Sequence, residues 1–143
     1  MILYLDASAL VKCFVMESFS DLVEKAASNA DAILTSRIAY VEACAAFGSA
    51  RRMKRLTPAE STAARKELDR QWPHFRVIEL DEMRSGILAL KHGLRALDAI
   101  HLAAALEIRI SYPEATITFC SFDDRQRKAA ISERLLLTPE RIP

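Results

Sequence analysis

Short unbroken apolar runs alternate along this chain with longer stretches in which apolar positions recur at helical spacing. Ile2 to Leu5 is such a run, ended by Asp6, and it reads as a strand buried on both faces. Ala32-Ile33-Leu34-Thr35, Arg76-Val77-Ile78-Glu79-Leu80 and Thr116 to Cys120 repeat the pattern, and Leu135-Leu136-Leu137 is a weaker fifth strand. Helices are expected directly after Asp6, from Ser36, from Asp81 and near Asp123. Thr57-Pro58 opens a further helix with Pro at its first position, and Pro73 ends it. Gly93 reads as a helix C-cap that splits the stretch from Asp81 to Glu107 into two helices. Strands alternating with helices predict an α/β fold, a three-layer α/β/α sandwich around a central parallel sheet.

Composition narrows the reading without changing it. At 143 residues, 51% hydrophobic and 27% charged, the chain suits one domain spanning 1–143 with its own core, and neither a disordered chain nor a coiled coil. Its three glycines (Gly48, Gly86, Gly93) are scattered, so no glycine-rich loop is available to cradle a phosphate. Cys13, Cys44 and Cys120 stand far apart in apolar surroundings and read as buried free thiols of a reducing compartment. The chain enters its first apolar run without a charged leader, and no apolar stretch reaches the roughly 18 residues of a spanning helix, so a cytoplasmic protein without membrane contact is expected.

The net charge of +1 offers no global argument for a polyanionic partner. Locally the picture differs: residues 51–76 carry Arg51, Arg52, Lys54, Arg55, Arg65, Lys66, Arg70 and Arg76 against Glu60, Glu67 and Asp69. Such a segment is either a solvated helical face or a basic arm able to hold a phosphate backbone. Trp72, at its end, could bury against the arm or stack on a base.

Four carboxylates stand in unusual places. Open parallel sheets bind ligands beyond the carboxyl ends of their strands, which is where Asp6 and Asp123 lie, although helix N-capping explains either one alone. Glu42 has Ile38, Ala39, Ala45 and Ala46 at helical spacing, an apolar setting that is costly for a carboxylate unless it coordinates a cation or meets a distant partner such as Arg. Asp98 opens an otherwise apolar helix, where it could instead complement the helix dipole. His101, one turn on, is expected to hydrogen-bond Asp98 or simply pack, and is left outside the site. Carboxylates converging on one cleft repel one another unless a multivalent cation neutralises them, and an all-oxygen ligand set selects Mg²⁺ or Mn²⁺ over zinc. Hydrolysis of a phosphodiester by water activated on such an ion needs no nucleophilic side chain.

Four segments together resemble the motifs of PIN domains, in particular the VapC-type toxins of toxin–antitoxin pairs. They are Leu3-Tyr4-Leu5-Asp6-Ala7-Ser8-Ala9-Leu10-Val11-Lys12, Thr35-Ser36 with Glu42 six residues on, Leu94-Arg95-Ala96-Leu97-Asp98-Ala99-Ile100-His101-Leu102-Ala103, and Ser121-Phe122-Asp123-Asp124-Arg125. The resemblance covers essentially the whole chain. It implies a sheet order of 3-2-1-4-5 and Mg²⁺- or Mn²⁺-dependent RNA cleavage, with Asp6, Glu42, Asp98 and Asp123 as the acidic quartet and Ser8 as the hydroxyl that orients it. It also implies a cognate antitoxin and a homodimer. Arg37 departs from the pattern, standing where many relatives carry an acidic or neutral residue, and of the doubled Asp123-Asp124 the first is taken as the site residue.

Two rival readings remain open from the residues alone. A haloacid-dehalogenase-like phosphatase would also use a first-strand Asp and a late Asp pair, but it would want a second Asp where Ser8 stands and has no use for Glu42. A catalytically silent domain of the same fold could bind RNA or a protein without cutting.

Overall fold

The computed structural model describes residues 1–142. Five strands form one sheet: β1 (Ile2–Leu5), β2 (Ala32–Ser36), β3 (Arg76–Ile78), β4 (Ile117–Cys120) and β5 (Leu136–Thr138). All pairings are parallel, and the order is β3-β2-β1-β4-β5, the order implied above. Seven α-helices accompany them: α1 (Ala7–Val11), α2 (Ser20–Ser28), α3 (Ala39–Arg52), α4 (Pro58–Gln71), α5 (Glu82–His92), α6 (Ala96–Ser111) and α7 (Asp124–Ser132).

Side-chain alternation in β1 divides the core into two layers. Tyr4 points to one side and meets Leu34, Phe119 and the apolar faces of α5, α6 and α7 through Leu88, Leu102, Ile108 and Ala130. Leu3 and Leu5 point to the other, where Leu10, Val23, Phe47 and Leu68 bring in α1 to α4. Burial on both faces explains why these strands are continuous apolar runs.

Element boundaries differ from the expectation where tertiary pairing overrides local signals. Ser36 remains in β2, paired with Ile78, so α3 begins at Ala39 instead of Ser36. The Arg37 amide bonds the Ile78 carbonyl at 3.0 Å and its guanidinium pairs with Glu79. The chain thereby turns away at Glu79, and β3 stops before Leu80. The departure at Arg37 is thus absorbed on the sheet rim. Helix α2 has no counterpart in the expected elements; α1 closes after Val11, and Phe19 turns the chain with a φ of 69° before α2 begins at Ser20. Gly93 does cap α5, with φ +62° in the left-handed region that suits glycine. Thr57 and Glu60 form a reciprocal capping box at the start of α4, and Trp72 packs edge-on against Tyr40, the burial alternative for that side chain.

The thiol expectation needs correction at one position: Cys120 is buried and Cys44 half-buried, but Cys13 is exposed, standing in the turn just after α1. Among the described residues no helix is long and apolar enough to cross a membrane.

Candidate active site

The connection after β1 runs to β2 on one side and the connection after the adjoining β4 runs to β5 on the other, which opens a crevice at the carboxyl ends of these two strands. The register places Leu5 beside Cys120, and the Asp6 amide bonds the Cys120 carbonyl at 3.1 Å. Asp6 and the Ser121-Phe122-Asp123 loop therefore leave the sheet side by side.

Asp6 caps α1, accepting the Ala9 amide on Oδ1 at 2.8 Å. The same oxygen accepts the Ser8 hydroxyl at 2.7 Å, and Ser8 Oγ in turn accepts the Phe122 amide at 2.9 Å. Ser8 thus ties the β1 loop to the β4 loop. Asp6 is 3% exposed, and burial raises its carboxyl above the usual aspartate value against the lowering influence of His101 and of the bonds from Ser8 and Ala9. Asp123 caps α7 through Oδ1, which accepts the Gln126 amide at 2.9 Å, while Oδ2 meets the guanidinium of Arg95. Asp124 begins α7 and is exposed. Both capping readings are therefore correct, and each leaves the second carboxylate oxygen outside the cap.

Glu42 projects from the first turn of α3 with a side chain 20% exposed. Its distant partner is His101, with Nε2 2.7 Å from Glu42 Oε2. The expectation that His101 bonds Asp98 or merely packs is wrong, because the helical twist of α6 turns His101 inward, between Tyr4 and Glu42, while Asp98 faces Arg95. His101 is 1% exposed, and its Nδ1 lies 2.9 Å from the Tyr4 hydroxyl. Burial above all, then the charges of Asp6 and Glu42, hold the Tyr4 phenol well above its ordinary pKa, so it stays protonated and donates to Nδ1. Nε2–H then donates to Glu42, so the ring accepts at one nitrogen and donates at the other.

Asp98 stands in the first turn of α6 with Arg95 three residues before it. Arg95 Nε bonds Asp98 Oδ2 at 2.7 Å, and Nη2 lies 3.4 Å from Asp98 Oδ1 and 3.3 Å from Asp123 Oδ2. Sequence reasoning left His101 outside the site and gave Arg95 no role. The spacing of Arg95 to Asp98 was a readable signal, whereas the Glu42–His101 contact spans 59 positions.

A cleft of about 400 Å³ runs beside these groups, lined among others by Ser8, Lys12, Glu42 and Arg55. A larger depression of about 610 Å³, lined by the loop after α1, by α2 and by Ile33, Gln71 and Phe75, touches none of the four carboxylates.

Among the described residues, no three His, Cys, Asp or Glu side chains already stand together as a ready metal cage. The donor chemistry nevertheless suits a hard cation: every candidate ligand is a carboxylate, buried Asp6 has no Lys or Arg bonded to it, and Asp98 and Asp123 draw a guanidinium between them.

A PIN domain family model matches residues 3–132. Ribonuclease VapC49 of Mycobacterium tuberculosis is 40% identical over 110 residues, 75% of this chain and 76% of that protein. Ribonuclease VapC46 of the same organism is 33% identical over 132 residues, 90% of this chain and 89% of its own length. The chain belongs to the VapC-type PIN-domain family. The fold of this PIN domain agrees with that of a toxin-antitoxin complex from Klebsiella pneumoniae, with a TM-score of 0.66 at 17% identity over 97% of this chain and 98% of that one. Membership sets aside the haloacid-dehalogenase reading, consistent with Ser8 occupying the position where that chemistry wants an acid.

Proposed function

We propose that this chain, acting as one PIN domain over residues 1–143, is a metal-dependent endoribonuclease and the toxin of a toxin–antitoxin pair. The observation that carries the reading is the set of links at the strand ends: Ser8 ties Asp6 to the loop that carries Asp123, Arg95 joins Asp123 to Asp98, and His101 meets Glu42, beside the cleft that Ser8, Lys12, Glu42 and Arg55 line. The ribonuclease names of its VapC relatives support the substrate class.

In this proposal Asp6, Glu42, Asp98 and Asp123 hold Mg²⁺ or Mn²⁺. When bound, the cation supplies charge neutralisation at the scissile phosphate and lowers the pKa of an attacking water. The chain's own groups prepare the site. Ser8 fixes Asp6 and the β4 loop in one orientation, the Asp123 cap holds Oδ1 so that Oδ2 faces the crevice, and His101 fixes Oε2 of Glu42. The partners are RNA and a cognate antitoxin, in the cytoplasm. A homodimer is also part of the proposal, and the exposed Met83, Ile87 and Leu90 on one side of α5 offer an apolar face for the second copy.

Incubation of the purified chain with a panel of RNAs tests the reading. Cleavage is expected with Mg²⁺ or Mn²⁺, no cleavage in EDTA, and no hydrolysis of a chromogenic phosphomonoester. RNA that is bound but left intact under every metal condition would point to the silent binding domain instead.

The basic segment divides into two kinds of residue. Arg65 and Arg70 are paired with Asp69 and Glu67 on the surface of α4, so their charge is spent locally. Arg51, Arg52, Lys54 and Arg55 are exposed and form no salt bridge among the described residues, and Arg55 lines the cleft. Replacing Arg51 and Arg55 with Gln in an Asp98→Asn background is expected to weaken binding to unrelated RNAs alike. It should also flatten the dependence of log K on log salt by about one unit for each phosphate no longer neutralised. An unmoved slope would assign these residues to solvent or to the antitoxin.

A further inference from the structure

The side chain of Arg95 is 68% exposed, yet all of its polar contacts are to the proposed metal ligands. Gly93 stops α5, Leu94 is buried at 8% exposure, and Arg95 begins α6 as an N-cap residue whose side chain makes no cap. The main chain is therefore anchored while the guanidinium is held by carboxylates alone. Each carboxylate oxygen of the two residues already has a partner: both oxygens of Asp98 and Oδ2 of Asp123 face Arg95, and Oδ1 of Asp123 accepts the Gln126 amide. A divalent cation offered to Asp98 and Asp123 meets oxygens that already have a positive partner.

We propose, resting on the metal-dependent reading above, that Arg95 is a built-in counter-cation that competes with the divalent metal for Asp98 and Asp123. In the metal-free protein it offsets the repulsion between two carboxylates that share one guanidinium nitrogen, and metal loading must displace it into solvent. Its exposure keeps that displacement easy, because the released side chain regains water and loses no packing. Arg95 is in this sense a positioning residue: it sets how readily the site fills and keeps the two loops together until it does.

Calorimetric titration of Mn²⁺ into wild type, Arg95→Gln, Arg95→Lys and Asp98→Asn protein, with a thermal melt of each metal-free sample, tests the proposal without recourse to cleavage. Arg95→Gln is expected to bind Mn²⁺ about three- to tenfold more tightly, the scale of losing one partly screened ion-pair competitor, and to melt lower when metal-free. Arg95→Lys, which keeps the charge but loses the planar fork across both carboxylates, should fall between the two. Equal or weaker Mn²⁺ binding by Arg95→Gln would overturn the competition while leaving the metal site standing. Failure of wild type to bind Mn²⁺, or binding that Asp98→Asn leaves unchanged, would overturn the site assignment and this proposal with it.

Discussion

Asp98→Asn is expected to fold normally and to lose Mn²⁺-dependent RNA cleavage by at least about a hundredfold, and Asp6→Asn to do the same. The two variants reach that outcome from different surroundings. Asp98, 13% exposed, is bound at its side chain only by the exposed guanidinium of Arg95, so the amide gives up one partly screened ion pair while its oxygen still accepts from Arg95, and little stability is lost. Asp6 is buried, and burial penalises its charge, so removing the charge leaves the metal-free fold unchanged or more stable while Oδ1 of Asn still accepts from Ser8 and Ala9. Loss of activity without loss of stability separates carboxylates kept for chemistry from those kept for architecture. Parallel urea melts and cleavage time courses measure both, and a purified variant that still cuts RNA at the wild-type rate removes its residue from the mechanism.

His101→Ala is expected to carry the largest stability cost near the site, about 2 to 4 kcal/mol, because it opens a cavity under α6 and strands the buried Tyr4 hydroxyl. Glu42→Gln should cost less than about 1.5 kcal/mol in EDTA. The difference follows from the hydrogen-bond chain: with Tyr4 donating to Nδ1, His101 donates through Nε2 to Glu42, and the Gln carbonyl oxygen accepts the same bond. A loss of about 3 to 5 kcal/mol in Glu42→Gln would instead identify a buried ion pair with a protonated imidazole, and Glu42 would then belong to the scaffold. Activity gives the complementary reading, since Glu42→Gln should be inactive at near-native stability.

Which parts of the molecule were readable in advance follows from the range of the interactions that define them. The strands of the sheet were legible because strands covered on both faces must be apolar throughout, a property written in consecutive residues such as Ile2 to Leu5 and Thr116 to Cys120. The Gly93 cap and the Thr57-Pro58 start were legible for the same local reason. The four carboxylates stood out because charge beside apolar neighbours is costly, and the cost is visible without knowing what relieves it. The order of the strands came from the resemblance of whole motifs, since no strand carries a mark of its neighbour. Tertiary structure alone decided who relieves each charge. Glu42 meets His101 across 59 positions, Arg95 reaches Asp123 across 28, and Ser8 joins Phe122 across 114. It also decided where β2 gives way to α3 and where β3 ends, because Ser36 and Arg37 are held by Ile78 and Glu79 on the adjoining strand and its exit. A sequence records the cost of placing a group, which depends on its nearest neighbours; the partner that meets the cost is chosen by chain topology, which brings distant residues within hydrogen-bond reach only once the sheet has formed.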